Sequence, residues 1–157
     1  MIRNLAKGFL ALCLLTVGGG VAANAQIGSV VTIRGNVPFA FMVGNTTLPA
    51  GKYEIRGLND NNPNVLEVRS VNGRTTVFAD TENVEAKGDR IANKSELIFD
   101  KVGDKYFLSQ IWPAGSAFGS ELMKSRTEKN LEDGGMRSER HSVVGILKHL
   151  RHHKRSS

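Results

Sequence analysis

Cysteine and histidine are scarce in this chain, and where they fall excludes more than their number does. The one cysteine, Cys13, lies close to the start, so the remainder can form no disulfide and must hold its core by packing alone. All four histidines lie at or beyond His141. Residues 26–136 therefore contain neither type, which removes Cys–His and Ser–His nucleophile pairs from the part expected to fold. No glycine-rich phosphate loop, dinucleotide fingerprint or zinc–cysteine cluster occurs, and no cofactor is expected. Beyond residue 25, no apolar run approaches the roughly 20 residues that a membrane-spanning helix takes.

What the beginning does contain is a leader pattern. Arg3 and Lys7 precede the apolar residues 9–17, and Ala23-Asn24-Ala25 follows as a small-x-small cleavage site. This predicts a signal peptide over 1–25 and a secreted protein, periplasmic or extracellular. Cys13 follows Leu12 inside the apolar run, which argues against a lipoprotein anchor.

The formal charge of +6 is unevenly spread. Arg3 and Lys7 contribute two of it. From Arg137 onward, Arg137, Arg140, Lys148, Arg151, Lys154 and Arg155 stand against Glu139, a balance of +5. The body from Gln26 to Met136 is thus close to −1. The expected organisation is a leader (1–25), a β-rich domain (26–135) and a basic, His-rich tail (136–157), flexible or an amphipathic helix.

The body reads as hairpins. Residues 30–34 and 37–43 have strand character, with Phe39, Phe41 and Val43 alternating onto one face. Leu48-Pro49-Ala50-Gly51 suits a type I turn closing on a left-handed Gly51, followed by Tyr53 and Ile55 on a half-buried strand. Asn72-Gly73 between two alternating segments is a strong hairpin signal. A two-residue turn there pairs Val71 with Arg74, and therefore Val68 with Val77 and Leu66 with Ala79, the last four on one face. A third hairpin, turning at Gly103-Asp104, is apolar on both faces and suits a central pair covered by sheet and helix. Ser125-x-x-Glu128 is a capping box for a short helix that should stop near Gly134-Gly135. The sum is a mainly β protein: a small antiparallel barrel or sandwich of about seven or eight strands, a short C-terminal helix and a basic, partly helical tail.

Three segments, "VPFAFMVGNTTLPAGKYEI", "KSELIFDKVGDKYFLSQIW" and "GSELMKSRTEKNL", in this order, resemble a family of small secreted bacterial proteins familiar from acidobacterial genomes. The resemblance covers residues 36–132. It implies a secreted β-rich domain and brings no activity with it.

Candidate chemistry is thin. Asp80, Glu82 and Glu85 offer carboxylates, the first two on one face of a strand, and a pair of them in a cleft would suit a hydrolase. Solvated strand charges are the plainer reading. Asp60 within "NDNNPN" lacks the further acidic ligands of a calcium loop and reads as a turn residue. Tyr106, Trp112 and Phe118 could line a ligand mouth or simply pack a rim.

In the tail, a helix would put Val143, Val144, Leu147 and Leu150 on one face and Lys148, Arg151 and His152 elsewhere. Such a basic amphipathic segment suits an anionic surface, an envelope component or a protein partner. Gly145 would cost that helix about 1 kcal/mol relative to Ala. His149, His152 and His153 have spacing that could bring two imidazoles to a metal, although bare histidine clusters bind weakly. Nucleic acid is not expected, because the charge is terminal and no basic-aromatic surface pattern accompanies it.

The function these features favour is a non-enzymatic, secreted β-domain that binds or supports something in the envelope or outside the cell. A small barrel carrying an apolar ligand behind Phe39, Phe41, Phe107 and Trp112 is the alternative, and a carboxylate-dependent hydrolase comes third.

Overall fold

The computed structural model describes residues 32–59, 62–87, 91 and 93–148. The predicted signal peptide, Asp60, His149, Arg151, His152 and His153 lie outside the described residues. The strands in chain order are β1 (Thr32–Val37), β2 (Phe41–Val43), β3 (Thr46–Leu48), β4 (Gly51–Asn59), β5 (Asn62–Ser70), β6 (Thr76–Glu85), β7 (Ser95–Val102), β8 (Lys105–Trp112) and β9 (Phe118–Leu122). Helix α1 (Arg126–Asp133) and β10 (Ser138–Lys148) follow.

Eight of these strands close an antiparallel barrel in the order β8-β7-β10-β1-β4-β5-β6-β9, with β9 pairing back onto β8. The protein is therefore mainly β and a barrel. Closure leaves the ring without a free edge. The β2–β3 hairpin stands outside the ring. It joins by a parallel contact of Met42 with Phe107 on β8, beyond the stretch where Gln110 and Ile111 pair with β9.

The interior is filled by alternating side chains, as an eight-stranded barrel of this width allows. Ile33 and Val37, Tyr53 and Ile55, Leu66 and Val68, and Leu97 and Phe99 come from four staves of the wall. Phe41 and Val43 enter from the hairpin. Phe41 meets Tyr53 and Phe99 edge-on at centroid distances of 5.0 and 5.3 Å, and Phe39 meets Phe99 likewise at 5.2 Å. A second cluster lies outside the wall, where Met42, Val102 and Phe107 are covered by Leu131 of α1. Helix and sheet thus cover the two faces of the β7–β8 pair, as its apolar pattern predicts.

Several local expectations hold. Val68 pairs with Val77 and Leu66 with Ala79. The connecting loop, however, runs from Val71 to Arg74, with Gly73 N–H donating to the Ser70 carbonyl and Thr75 paired to Ser70. One extra residue on each side of Asn72-Gly73 leaves the facing pairs unchanged. Gly103 turns the β7–β8 hairpin at φ 63°. Ser125 caps α1 by accepting from Glu128 N–H at 3.1 Å, and Gly134 ends it.

Three expectations are corrected. The first strand continues through Gly35 and Asn36 to Val37, so the break falls at Pro38, which has no N–H to give a ladder. Leu48-Pro49-Ala50-Gly51 is not a hairpin turn. Strand β3 pairs only with β2, which it meets through a turn at Gly44 (φ 57°), and the Pro49-Ala50 corner carries the chain across to β4. The Tyr53 hydroxyl secures that corner by donating to the Pro49 carbonyl at 2.7 Å.

The largest correction concerns the tail. Residues 138–148 are not a helix or a loose appendage but a barrel stave, paired along β7 from Ser138 to Gly145 and along β1 from Gly145 to Lys148. Val143 and Leu147 pack against the core, while Val144 and Ile146 face out. A strand slot with partners on both sides outweighs the helical spacing of the apolar residues.

Candidate functional site

Register assigns every stave's ends to one mouth of the barrel or the other. Val37, Gly51, Ser70, Thr76, Val102, Lys105 and Ser138 mark one mouth. Thr32, Glu85, Trp112, Phe118 and Lys148 mark the other. Tyr106 and Trp112, six positions apart on β8, are therefore about 20 Å apart along the strand. They do not form a common ligand mouth.

Tyr106 stacks on Phe39 at 4.0 Å, meets His141 edge-on at 5.3 Å, and carries the Lys101 ammonium 5.7 Å from its ring centre. Trp112 lies on the outer wall. A Cβ on Gly119 would come within 2.8 Å of its indole ring, so β9 seats the ring only because glycine stands there. The indole N–H donates to Gln110 Oε1 at 3.1 Å. Phe118 is 60% exposed at the same end, as is the base of β10 with Lys148. The residues proposed to line an apolar-ligand cavity are also divided: Phe39 and Phe41 belong to the interior cluster, whereas Phe107 belongs to the cluster beneath α1.

The carboxylates Asp80 and Glu82 share the outer face of β6 and are exposed. Glu82 stands directly opposite Glu121 across β6–β9. Among the described residues, no three His, Asp or Glu side chains converge to hold a metal ion.

On the other flank, the outer face of β1, β4 and β5 carries an alternating ion network. Glu54 accepts from Arg34 and from Arg69 (3.1 Å), and Glu67 accepts from Arg56 (2.6 Å) with Arg69 at 4.0 Å. The side chain of Glu67 is only 7% exposed, sheltered among these partners. Hydrogen bonding from Arg69, then from Arg34, holds the Glu54 carboxyl below its ordinary range. On this flank the outside of the barrel is charged while its inside is apolar. Among the described residues, no helix is long and apolar enough to cross a membrane.

The concave feature that sequence reading missed lies at the first mouth. There the 49–53 corner and the 70–75 loop enclose a groove of about 470 Å³. The β4–β5 ladder brings them together: Tyr53 pairs with Ser70, and Val71 N–H donates to the Lys52 carbonyl at 2.9 Å. The loop is braced internally, with Asn72 Oδ1 accepting from Ser70 Oγ (2.7 Å) and from Arg74 N–H (3.1 Å). Thr75 N–H donates to Ser70 Oγ at 3.0 Å. Lys52 and Arg74 line the groove, and none of its lining residues is acidic. Glu54, the acid two places along β4, is already held by Arg34 and Arg69.

Compared with family models, with curated proteins and with solved structures, the chain matches none.

Proposed function

We propose that this protein is an exported, non-enzymatic binding barrel that acts in the cell envelope or outside the cell through its outer surface. The observation that carries the reading is where the chemistry lies. The interior is occupied by Phe41, Tyr53, Phe99 and their aliphatic neighbours, while ionic groups and a solvent-facing groove lie outside. Asp80 and Glu82 stand on an exposed wall, not in a cleft that would exclude water around a reacting bond.

The leader pattern and the resemblance to small secreted bacterial proteins support export. The basic residues Arg151, Lys154 and Arg155, which follow Lys148 in the sequence, supply electrostatic attachment to an anionic surface. Because β10 is part of the wall, a deletion that tests this attachment must begin after Lys148. Full-length protein should cosediment with isolated envelope material at low salt, and a chain ending at Lys148 should do so more weakly while keeping its thermal transition. If full-length protein stays in the supernatant at low salt, the reading fails.

A further inference from the structure

We propose that the groove between the 49–53 corner and the 70–75 loop is a binding site for acidic saccharide residues, meaning a sugar ring carrying a carboxylate or a phosphate. This rests on the reading of the protein as a surface-acting binding barrel, and it names the site and the ligand class within that reading.

Charge comes first. Lys52 and Arg74 line the groove from two elements, and neither forms an ion pair among the described residues. The other arginines of this flank, Arg34, Arg56 and Arg69, are committed to Glu54 and Glu67. The groove therefore brings together two cations without an ion pair among the described residues, and an anionic group is their natural counter-ion.

Shape and polarity narrow the choice. About 470 Å³ falls within the roughly 300–1,000 Å³ of small-ligand sites. Pro49 and Val71, the latter 48% exposed, offer apolar surface against which the C–H face of a sugar ring can pack. The Asn72 side-chain amide remains as a donor to hydroxyls, since its oxygen serves the loop.

An acidic peptide fits less well. A strand-like peptide binds through main-chain hydrogen bonds to a free edge. Here the relevant backbone groups are spent: Val71 N–H on Lys52, Ser70 N–H on the Thr75 carbonyl, and the Pro49 carbonyl on the Tyr53 hydroxyl. The groove offers a ligand side-chain charge, the Asn72 amide and apolar surface.

The test titrates ¹⁵N-labelled full-length protein with digalacturonate, glucose 6-phosphate, neutral galactobiose and hexaglutamate. Saturable shifts at the amides of Lys52, Ser70, Asn72 and Arg74 are expected with one or both acidic sugars, and the pair of them distinguishes carboxylate from phosphate. The variant K52A/R74A should weaken that binding about tenfold or more while keeping a dispersed spectrum, and K52Q/R74Q provides a second variant with the side-chain bulk retained. Absent groove shifts with both acidic sugars would overturn the site. Equal binding of galactobiose would overturn the role of the cations, and equal binding of hexaglutamate the saccharide assignment. The two readings fail separately: envelope cosedimentation that survives in K52A/R74A removes the groove and leaves the envelope role standing. Digalacturonate binding without envelope association does the opposite.

Discussion

Gly35 of β1 and Gly145 of β10 stand directly opposite each other, both buried on the inner side of the wall. Each makes room for a neighbour. A Cβ on Gly35 would lie 2.5 Å from Leu97 Cδ1, and one on Gly145 would lie 2.6 Å from Ile33 Cγ2. The seam between the first and last described strands thus closes over side chains that arrive from β7 and β1. G35A and G145A should each destabilise the barrel by about 1–3 kcal/mol, the usual cost of overpacking, measured by guanidinium unfolding. L97A should offset part of the G35A loss, so that the double variant is more stable than additivity predicts.

The Glu54 network makes a testable contribution to acid stability. Its carboxyl is held below the ordinary value of 4.5 by Arg69 and Arg34. The stabilisation is therefore present above that ordinary value and is lost as pH falls through the depressed folded-state value. E54Q should reduce stability at pH 7 by up to about 1 kcal/mol, because both arginines are partly solvent-exposed. The difference from wild type should vanish at the acid end of a pH series of denaturant midpoints.

Glu128 behaves in the opposite sense. Burial raises its carboxyl above the ordinary value, with Lys124 opposing and Glu132 and Asp100 adding to the rise. Ser125 N–H also favours the ionised form, and Arg140 lies 3.6 Å from Asp100. The folded state keeps this proton to a higher pH than the unfolded chain does. Its contribution is full below the ordinary value and is lost as pH rises through the raised one. E128Q keeps an acceptor for the cap and removes the buried charge, so Tm should rise by about 2–4 °C at pH 8 and not at pH 4.

Legibility in the sequence followed locality. Asn72-Gly73, Gly103-Asp104 and Ser125-x-x-Glu128 specify their elements through near neighbours, and those hairpins and that helix form, the first with the expected facing pairs but a loop two residues longer than a two-residue turn. Strand β10 was hidden for a physical reason. Its inward positions run His141, Val143, Gly145, Leu147, and Gly145 leaves a blank in the alternation that only Ile33 of another strand explains. Outward Val144 and Ile146, the latter 72% exposed, then add apolar residues on the wrong beat and imitate a helical stripe. Leu48-Pro49-Ala50-Gly51 misled for a similar reason, since a corner and a hairpin turn use the same residue types. The groove depends on the β4–β5 ladder setting Lys52 beside the loop that carries Arg74, a relation that no local pattern encodes.

The central claim is that residues 138–148, where the basic C-terminal segment begins, are a stave of the wall, so that the groove and the outer face are surfaces built on a closed barrel. Amide hydrogen exchange on the full-length protein tests this most directly. Residues 138–147 should exchange as slowly as their ladder partners in β7 and β1, through the same global opening. Exchange of 138–147 at the rate of an unstructured chain, with β1 and β7 still protected, would contradict the account.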